Sequence, residues 1–194
     1  MKKFTITVAK TAGFCFGVDR AVKLVYNEIY SGCKAATLGE IIHNPTVVND
    51  LKERGVRVIS SPDEALEGER VVIRSHGAGA DVYRRLEELG IGYSDGTCPF
   101  VRRIQKIAEE CSQKGMTVVI MGGIAGHCTG NAVILSDDKA LSEFLKKIFE
   151  NPQKKVAIMP QTTYNISMWQ KCREEASLYE GAVLFDTICS ATEK

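Results

Sequence analysis

The sequence predicts an α/β fold built on parallel sheets, and three observations support this prediction. Short β-branched runs alternate with segments of helical periodicity along most of the 194 residues. Polar residues cluster directly after several of these runs, as they do at the carboxyl ends of parallel strands, where ligands bind. The composition, 44% apolar and 25% charged, is that of an ordinary globular chain. Parallel strands with helices on both faces account for all three observations.

The elements follow one another in a regular order. Apolar and β-branched runs predict six strands: Phe4 to Val8, Val56 to Ile59, Arg70 to Arg74, Met116 to Met121, Lys155 to Met159 and Ala182 to Phe185. Apolar residues at intervals of three and four predict five helices: Thr46 to Arg54, Ala80 to Leu89, Val101 to Lys114, Asp138 to Phe149 and Ile166 to Tyr179. A division at residue 98 gives two α/β lobes, residues 1–98 with an N-terminal strand and residues 99–188.

Charge and hydropathy exclude some classes of partner. Twenty-five basic against 24 acidic residues leave a net charge of +1, so we expect no nucleic-acid partner. No run approaches the roughly 20 apolar residues of a membrane span, and the N-terminus lacks a signal-peptide core. We therefore expect a cytoplasmic protein with no membrane contact. The odd count of seven cysteines favours reduced thiols, some of them metal ligands, over disulfides.

Three of the cysteines lie in predicted loops that could hold a ligand: one loop is rich in glycine, and the other two stand at presumed strand ends. Cys15 has glycines on both sides, whereas Cys98 and Cys189 each end an Asp-x-x-Cys pattern. Cys111 and Cys172 lie on predicted helices and fit the alternative interpretation of cysteine as a small buried hydrophobe. The sequence contains no Cys-x-x-Cys pair, and this absence argues against a zinc knuckle or a thioredoxin-like site. Three distant thiolates could hold a four-iron cluster with one iron left open as a Lewis acid.

Two of the three histidines stand at presumed strand ends. His43 lies in Gly39 to Pro45, and His76 lies in Val72 to Gly79. A histidine in a loop is often only a hydrogen-bonded structural residue. Here both precede predicted helix starts, where an imidazolium and the helix dipole can act together on an anion such as a diphosphate.

Six motifs together resemble the 4-hydroxy-3-methylbut-2-enyl diphosphate reductase family, called IspH or LytB. They stand in family order along nearly the whole chain: Gly13-Phe14-Cys15-Phe16-Gly17-Val18, Gly39-Glu40-Ile41-Ile42-His43-Asn44, Arg74-Ser75-His76-Gly77, Asp95-Gly96-Thr97-Cys98-Pro99, Gln161-Thr162-Thr163 and Asp186-Thr187-Ile188-Cys189-x-Ala191-Thr192. The resemblance implies parallel-sheet lobes of the IspH trefoil type.

The resemblance also implies an activity and its site. Its metal ligands are Cys15, Cys98 and Cys189, which would bind a [4Fe-4S] cluster, and its diphosphate ligands are His43 and His76. Thr162 matches a threonine that lines the substrate pocket, and we assign it a catalytic role as well. The implied enzyme is an iron–sulfur oxidoreductase of the non-mevalonate isoprenoid pathway. It removes the hydroxyl group of the allylic diphosphate reductively, giving isopentenyl and dimethylallyl diphosphate, with electrons from ferredoxin or flavodoxin.

The chain departs from the family at a His-Pro-Glu motif that follows the strand Met116 to Met121. One alignment places His127 on the motif histidine as a substrate-binding residue, with Cys128 and Thr129 in place of Pro and Glu. The other alignment, which we prefer, deletes the motif between Gly122 and Gly123. The glutamate is absent under both, and a threonine hydroxyl does not supply a carboxyl proton.

The second departure is the end of the sequence at Lys194, five residues beyond Cys189. The family continues through a third lobe that carries a Ser-x-Asn motif, so we expect residues 189–194 to begin a lobe that is largely missing. Two hypotheses follow. The chain is an active reductase, or it is a catalytically inactive fragment or degenerate paralogue that retains cluster or phosphate binding. The lack of paired cysteines disfavours a third, a thiol redox or zinc module.

Overall fold

The computed structural model describes residues 6–8, 12–122 and 132–192, and its strands form two parallel sheets. The strands are β1 (Lys34–Leu38), β2 (Arg57–Ile59), β3 (Glu69–Ile73), β4 (Tyr93–Asp95), β5 (Thr117–Met121), β6 (Val133–Leu135), β7 (Val156–Pro160) and β8 (Ala182–Leu184). The first sheet has the order β2-β1-β3-β4 and the second the order β6-β5-β7-β8, with every pairing parallel. The predicted α/β fold is confirmed.

Six α-helices connect the strands in the described ranges. They are α1 (Phe16–Tyr30), α2 (Pro45–Glu53), α3 (Ala80–Glu88), α4 (Pro99–Gln113), α5 (Asp138–Ile148) and α6 (Ile166–Ala176). Short 3₁₀ turns occupy Pro62–Glu64 and Ser190–Thr192. Over the same ranges, no helix combines the length and the apolarity that crossing a membrane requires.

Helices cover both faces of the first sheet because successive side chains of a strand point to opposite faces. Val72 of β3 packs with Val25 of α1 and Leu51 of α2. Its neighbours Val71 and Ile73 pack on the other face in a cluster with α3. All three β3 side chains are fully buried, and this is why the strand reads as a continuous apolar run rather than an alternating one.

The second sheet repeats this arrangement. Val119 of β5 and Ile158 of β7 pack against α5 and α6 around the buried Trp169. The residues next to them in sequence, including Ile120 and Met159, pack against α4. The apolar stripe of each helix therefore finds a sheet face to cover.

The helices differ in whether a side chain caps their first turn. Asn44, Asp137 and Asn165 precede α2, α5 and α6, and their side chains accept backbone N–H groups of the first turn. Cys15 precedes α1 and Cys98 precedes α4, with no side-chain cap bond in either case. Two helix N-termini therefore present a thiol in place of a capping oxygen.

The structure corrects part of the element prediction. All five predicted helices, and the five predicted strands from Val56 onward, are confirmed to within a few residues. Elements β1, β4, β6 and α1 were not predicted. The predicted strand Phe4 to Val8 is wrong where it is described: residues 6–8 belong to neither sheet, and Ile6 and Val8 are largely exposed because no neighbouring strand pairs with them. Residues 4 and 5 lie outside the described residues.

Candidate active site

The carboxyl edge of the first sheet carries three of the seven predicted site residues. Leu38 pairs with Ile73, and Ile73 pairs with Asp95, so β1, β3 and β4 end level with one another. The segments that follow contain His43, His76 and Cys98 respectively. Parallel strands that end in register deliver their following loops to one edge, and this places the three predicted residues near one another.

The two histidines form a pair at this edge. The ring centroids of His43 and His76 lie 5.5 Å apart, with an angle of 45° between the ring planes. Both residues are exposed, and Nδ1 of His43 lies 3.7 Å from a carboxylate oxygen of Glu40. Imidazoles this close can contact two oxygens of one small anion. The Asn44 side chain already accepts two N–H groups at the start of α2, so these two groups of the helix end are already paired within the chain.

The histidine loop is bonded directly to the cysteine loop. The backbone N–H of Cys98 donates to the carbonyl oxygen of Ser75, at 2.9 Å. Gly77 has a φ of +79°, and a Cβ there would lie 3.1 Å from the Thr97 methyl group. This close approach, together with the left-handed backbone, requires glycine beside His76. The predicted anion ligand and the predicted metal ligand are therefore neighbours.

Cys98 also lies against the first turn of α1. A Cβ on Gly17 would stand 2.5 Å from the Sγ of Cys98, so only glycine leaves room for this thiol. Cys15 is two residues earlier, at the N-cap of the same helix. Both thiols thus lie at helix N-termini, where the free N–H groups and the helix dipole favour negative charge.

Asp95 organises the loop that carries Cys98. Its carboxylate accepts the Thr97 N–H at 2.8 Å, the Tyr83 hydroxyl at 3.0 Å and a guanidinium N–H of Arg102 at 2.6 Å. Burial opposes ionisation, but the hydrogen bonds from Thr97 and the charge of Arg102 hold the pKa of Asp95 below its usual value. The loop is therefore held by an ionised carboxylate with several donors.

Thr162 and Cys189 lie together on the second sheet. The Cys189 N–H donates to the Thr162 carbonyl oxygen at 2.9 Å, and the buried Thr187 hydroxyl donates to the carbonyl oxygen of Pro160. Asp186 accepts the indole N–H of Trp169 at 2.6 Å. The segment that carries Cys189 is thus fixed to the end of β7, directly beside the threonine predicted to line the pocket.

The structure brings some of the predicted residues together and leaves others apart. Cys98 meets the helix that Cys15 begins, and it adjoins the histidine pair. Among residues 6–8, 12–122 and 132–192, however, no three His, Cys, Asp or Glu side chains are grouped closely enough to hold one metal ion. Cys15, Cys98 and Cys189 are free thiols. His127 lies outside the described residues.

The remaining cysteines in these ranges divide by burial. Cys111 and Cys172 are buried, and burial raises the pKa of both thiols, as expected of structural cysteines. Cys33 is half-buried and precedes β1, at the opposite end of the strand from the histidine pair.

Sequence reasoning missed several residues that shape the site. Arg20, Tyr83 and Arg102 each bond to the loop of residues 95–98 from a different helix. In the sequence, these three residues are marked only by lying on helices that begin close to one of the motifs. Arg20 lies more than 70 positions from the atoms it binds, so local spacing could not identify it.

Comparison with known proteins gives a consistent result. A family model described as LytB protein matches residues 6–194. The 4-hydroxy-3-methylbut-2-enyl diphosphate reductase of Caldanaerobacter subterraneus subsp. tengcongensis is 40% identical over 202 residues, which cover 97% of this chain and 68% of that protein. The reductase of the same name from Thermoanaerobacter sp. (strain X514) is 38% identical, with the same two coverages.

Solved structures agree. A structure of (E)-4-hydroxy-3-methyl-but-2-enyl diphosphate reductase, described as the terminal enzyme of the non-mevalonate pathway, matches with a TM-score of 0.78 at 35% identity and covers 97% of this chain and 69% of that one. The E-1-hydroxy-2-methyl-but-2-enyl-4-diphosphate reductase from Plasmodium falciparum matches with a TM-score of 0.82 at 19% identity, covering 95% of this chain and 60% of that one. The second likeness concerns the fold alone.

Proposed function

We propose that this chain, which belongs to the LytB protein family, is a reductase of 4-hydroxy-3-methylbut-2-enyl diphosphate. The observation that supports this most directly is the hydrogen bond from the Cys98 N–H to the Ser75 carbonyl oxygen, which sets a thiol beside the histidine pair. A diphosphate ester held by the histidines would direct its allylic end toward the thiol side of the site.

We assign the diphosphate group to His43 and His76. Their exposed rings, 5.5 Å apart, can each donate a hydrogen bond to a phosphate oxygen, and a protonated ring adds charge to that bond. Holding the charged end at two points orients the rest of a small substrate. Thr162 is assigned to the wall of the pocket, where its hydroxyl can donate or accept a hydrogen bond but cannot supply an acidic proton at neutral pH.

We assign a [4Fe-4S] cluster to Cys15, Cys98 and Cys189. The chemistry of the donors fits this cofactor, because thiolates are its protein ligands and all three cysteines are free, whereas their positions in the chain without cofactor do not form one group. Gly17 leaves room for the Cys98 thiol itself, so glycine at this position keeps the proposed ligand against the first turn of α1. When bound, the cluster supplies electrons and a Lewis-acidic iron. The overall reaction consumes two electrons and two protons, and the hydroxyl group leaves as water.

A second candidate function has its own support. The sequence contains no His-Pro-Glu tripeptide, so the carboxyl group that the family places at the proton-delivery position is absent. A homologue that binds a cluster or a phosphate ester without turnover is consistent with that absence. The electron donor, a ferredoxin or flavodoxin, stays a prediction from the resemblance, and the cytoplasmic location stays a prediction from the hydropathy of the sequence.

Anaerobic reconstitution with iron and sulfide separates these functions. We expect the wild-type chain to gain the broad absorption of a four-iron cluster, and we expect Cys98→Ser to lose it. Cys33→Ser is the matched control, because this half-buried thiol lies away from the histidine pair and should leave the spectrum unchanged. Failure of the wild-type chain to assemble a cluster would refute the assignment.

Turnover and binding are then measured on the cluster-loaded chain. With a chemical reductant, conversion of the allylic diphosphate to isopentenyl and dimethylallyl diphosphate supports the reductase, whereas a loaded chain without turnover supports the second candidate. His43→Gln and His76→Gln should each weaken binding of inorganic pyrophosphate by about tenfold or more, the usual effect of losing one charged hydrogen bond. Unchanged affinity in both variants would remove the histidines from the site.

A further inference from the structure

Helix α1 and the loop of residues 95–98 are joined by one side chain. The guanidinium group of Arg20 donates from Nη1 to the Thr97 carbonyl oxygen at 3.1 Å and from Nη2 to the Asp95 carbonyl oxygen at 3.0 Å. A planar guanidinium holds two acceptors in a fixed relative geometry, which a flexible lysine ammonium does not. Arg20 therefore fixes both the distance and the orientation between the helix and the loop.

The joint is closely packed on both sides. Gly17 of the helix faces Cys98 of the loop, and Gly96 of the loop faces the fully buried Ala21 of the helix. A Cβ on Gly96 would lie 3.3 Å from the Ala21 Cβ. Helix and loop backbones thus approach each other through small residues, so a small shift of the helix moves Cys15 relative to Cys98.

Within the described part of the chain, the other side-chain hydrogen bonds of the loop and of the helix go to different partners. The Asp95 carboxylate takes its bonds from Thr97, Tyr83 and Arg102, none of which belongs to α1. The far half of α1 is held by Glu28, whose carboxylate lies 3.0 Å from the Arg70 guanidinium and accepts the Ser94 hydroxyl. Arg20 holds the near half, five residues after the N-cap Cys15.

We propose that Arg20 is a positioning residue that fixes the spacing between the Cys15 and Cys98 thiols. It acts through two backbone carbonyl oxygens of the loop. The importance of this spacing for cluster binding rests on the proposed function, but the spacing itself is a property of the chain without any cofactor. Removing the guanidinium leaves the N-terminus of α1 without its hydrogen bonds to the cysteine loop.

Thiol cross-linking tests the spacing directly. The reduced, metal-free chain is treated with a short bifunctional thiol reagent, and the Cys15 to Cys98 product is quantified by peptide mapping. In Arg20→Gln we expect its rate of formation to fall by about tenfold, because losing at least one charged hydrogen bond lowers the population of chains with the wild-type spacing by about that factor. Arg20→Lys keeps the charge and can make only one directed bond, so its cross-linking rate should lie between those of the wild-type chain and Arg20→Gln. An intermediate rate in this milder variant would also show that misfolding of Arg20→Gln is not the cause of the effect.

Arg70→Gln is the matched control. It loosens the far half of the same helix by removing the ion pair with Glu28, and its other bond goes to the Tyr93 carbonyl oxygen of β4 rather than to residues 95–98. We expect its cross-linking rate to match that of the wild-type chain. Equal rates in wild type, Arg20→Gln and Arg20→Lys would overturn the proposal, as would an Arg70→Gln effect as large as that of Arg20→Gln.

Cluster loading distinguishes this inference from the proposed function. If the wild-type chain binds a cluster, Arg20→Gln should hold less iron per chain and show an altered reduction potential, whereas Arg70→Gln should not. If the wild-type chain binds no cluster while cross-linking still depends on Arg20, the proposed function fails and the positioning role stands. A wild-type cluster that is unaffected by Arg20→Gln, together with unchanged cross-linking, refutes the positioning role alone.

Discussion

Gly17→Ala tests how closely Cys98 packs against helix α1. Gly17 is buried at the second position of the helix, and the added methyl carbon would stand 2.5 Å from the Cys98 Sγ and 3.1 Å from its Cβ. The first distance is shorter than any ordinary contact, so either the thiol or the helix must move. Because the thiol is a proposed cluster ligand, the substitution probes stability and site geometry together.

Two opposing contributions set the size of the effect on stability. Alanine has a better helix propensity than glycine, which stabilises the chain by at most about 1 kcal/mol, and by less in a first turn. Overpacking of a buried contact destabilises by about 1–3 kcal/mol. In the wild-type background we therefore expect a net destabilisation of roughly 0–2 kcal/mol. In a Cys98→Ala background the clash with sulfur is gone, and the same substitution should be neutral or slightly stabilising.

A double-mutant cycle measures this difference. Urea unfolding of wild type, Gly17→Ala, Cys98→Ala and the double variant is followed without oxygen or metal, so that only packing differs. We expect a coupling free energy of about 1–3 kcal/mol between the two positions. If Gly17→Ala has the same effect in both backgrounds to within about 0.5 kcal/mol, the close contact between helix and thiol is refuted.

Three further predictions concern the loops and the thiols. Since the folded-state pKa of Asp95 is lowered, its ionised carboxylate contributes stability above about pH 3.9 that is lost as pH falls through the folded-state pKa. Asp95→Asn should therefore flatten the acid limb of a plot of urea midpoint against pH, and an unchanged limb would contradict this. Asp186→Ala leaves the buried indole N–H of Trp169 unpaired, which should destabilise by about 1–3 kcal/mol and change the fluorescence of this sole tryptophan. The exposed Cys15 should be alkylated at least about tenfold faster than Cys172, whose pKa burial raises; mass spectrometry of timed samples checks this order, and equal rates would contradict it.

Much of the fold was predictable because its apolar pattern is strong. The five predicted helices follow the apolar spacing that buries one stripe against a sheet. Strand β1 was missed because two of its three buried residues, Ala35 and Ala36, carry little β propensity, although the strand is central in the first sheet. Helix α1 was missed although Ala21, Val22 and Val25 bury one face of it, because the glycines on both sides of Cys15 indicate a loop.

The site divides in a similar way. The pairing of His43 with His76 could be anticipated only from the His76 side, because His76 follows a predicted strand whereas β1, the strand before His43, was not predicted. The contacts of Arg20 and Arg102 could not, because they depend on how a helix docks on a loop from another part of the chain. Sequence spacing gives the register within one element, whereas docking is decided by packing between elements.

The two sheets show how far repetition extends in this chain. Both have the same strand order, and in both an Asp-x-x-Cys segment begins at or just after the end of the last strand. The hydrogen bonds differ, however. Asp95 is bound by Arg102 from the helix that follows it, whereas Asp186 is bound by Arg173 from the helix that precedes it. The Cys98 segment is thereby bonded to α4, which follows it, and to α1. The Cys189 segment is bonded to α6 and to the residues that follow β7, both of which precede it in the chain. Cys15 and Cys98 are therefore linked through α1, so a perturbation of this helix should change the spacing between them, whereas Cys189 is bonded to the second sheet.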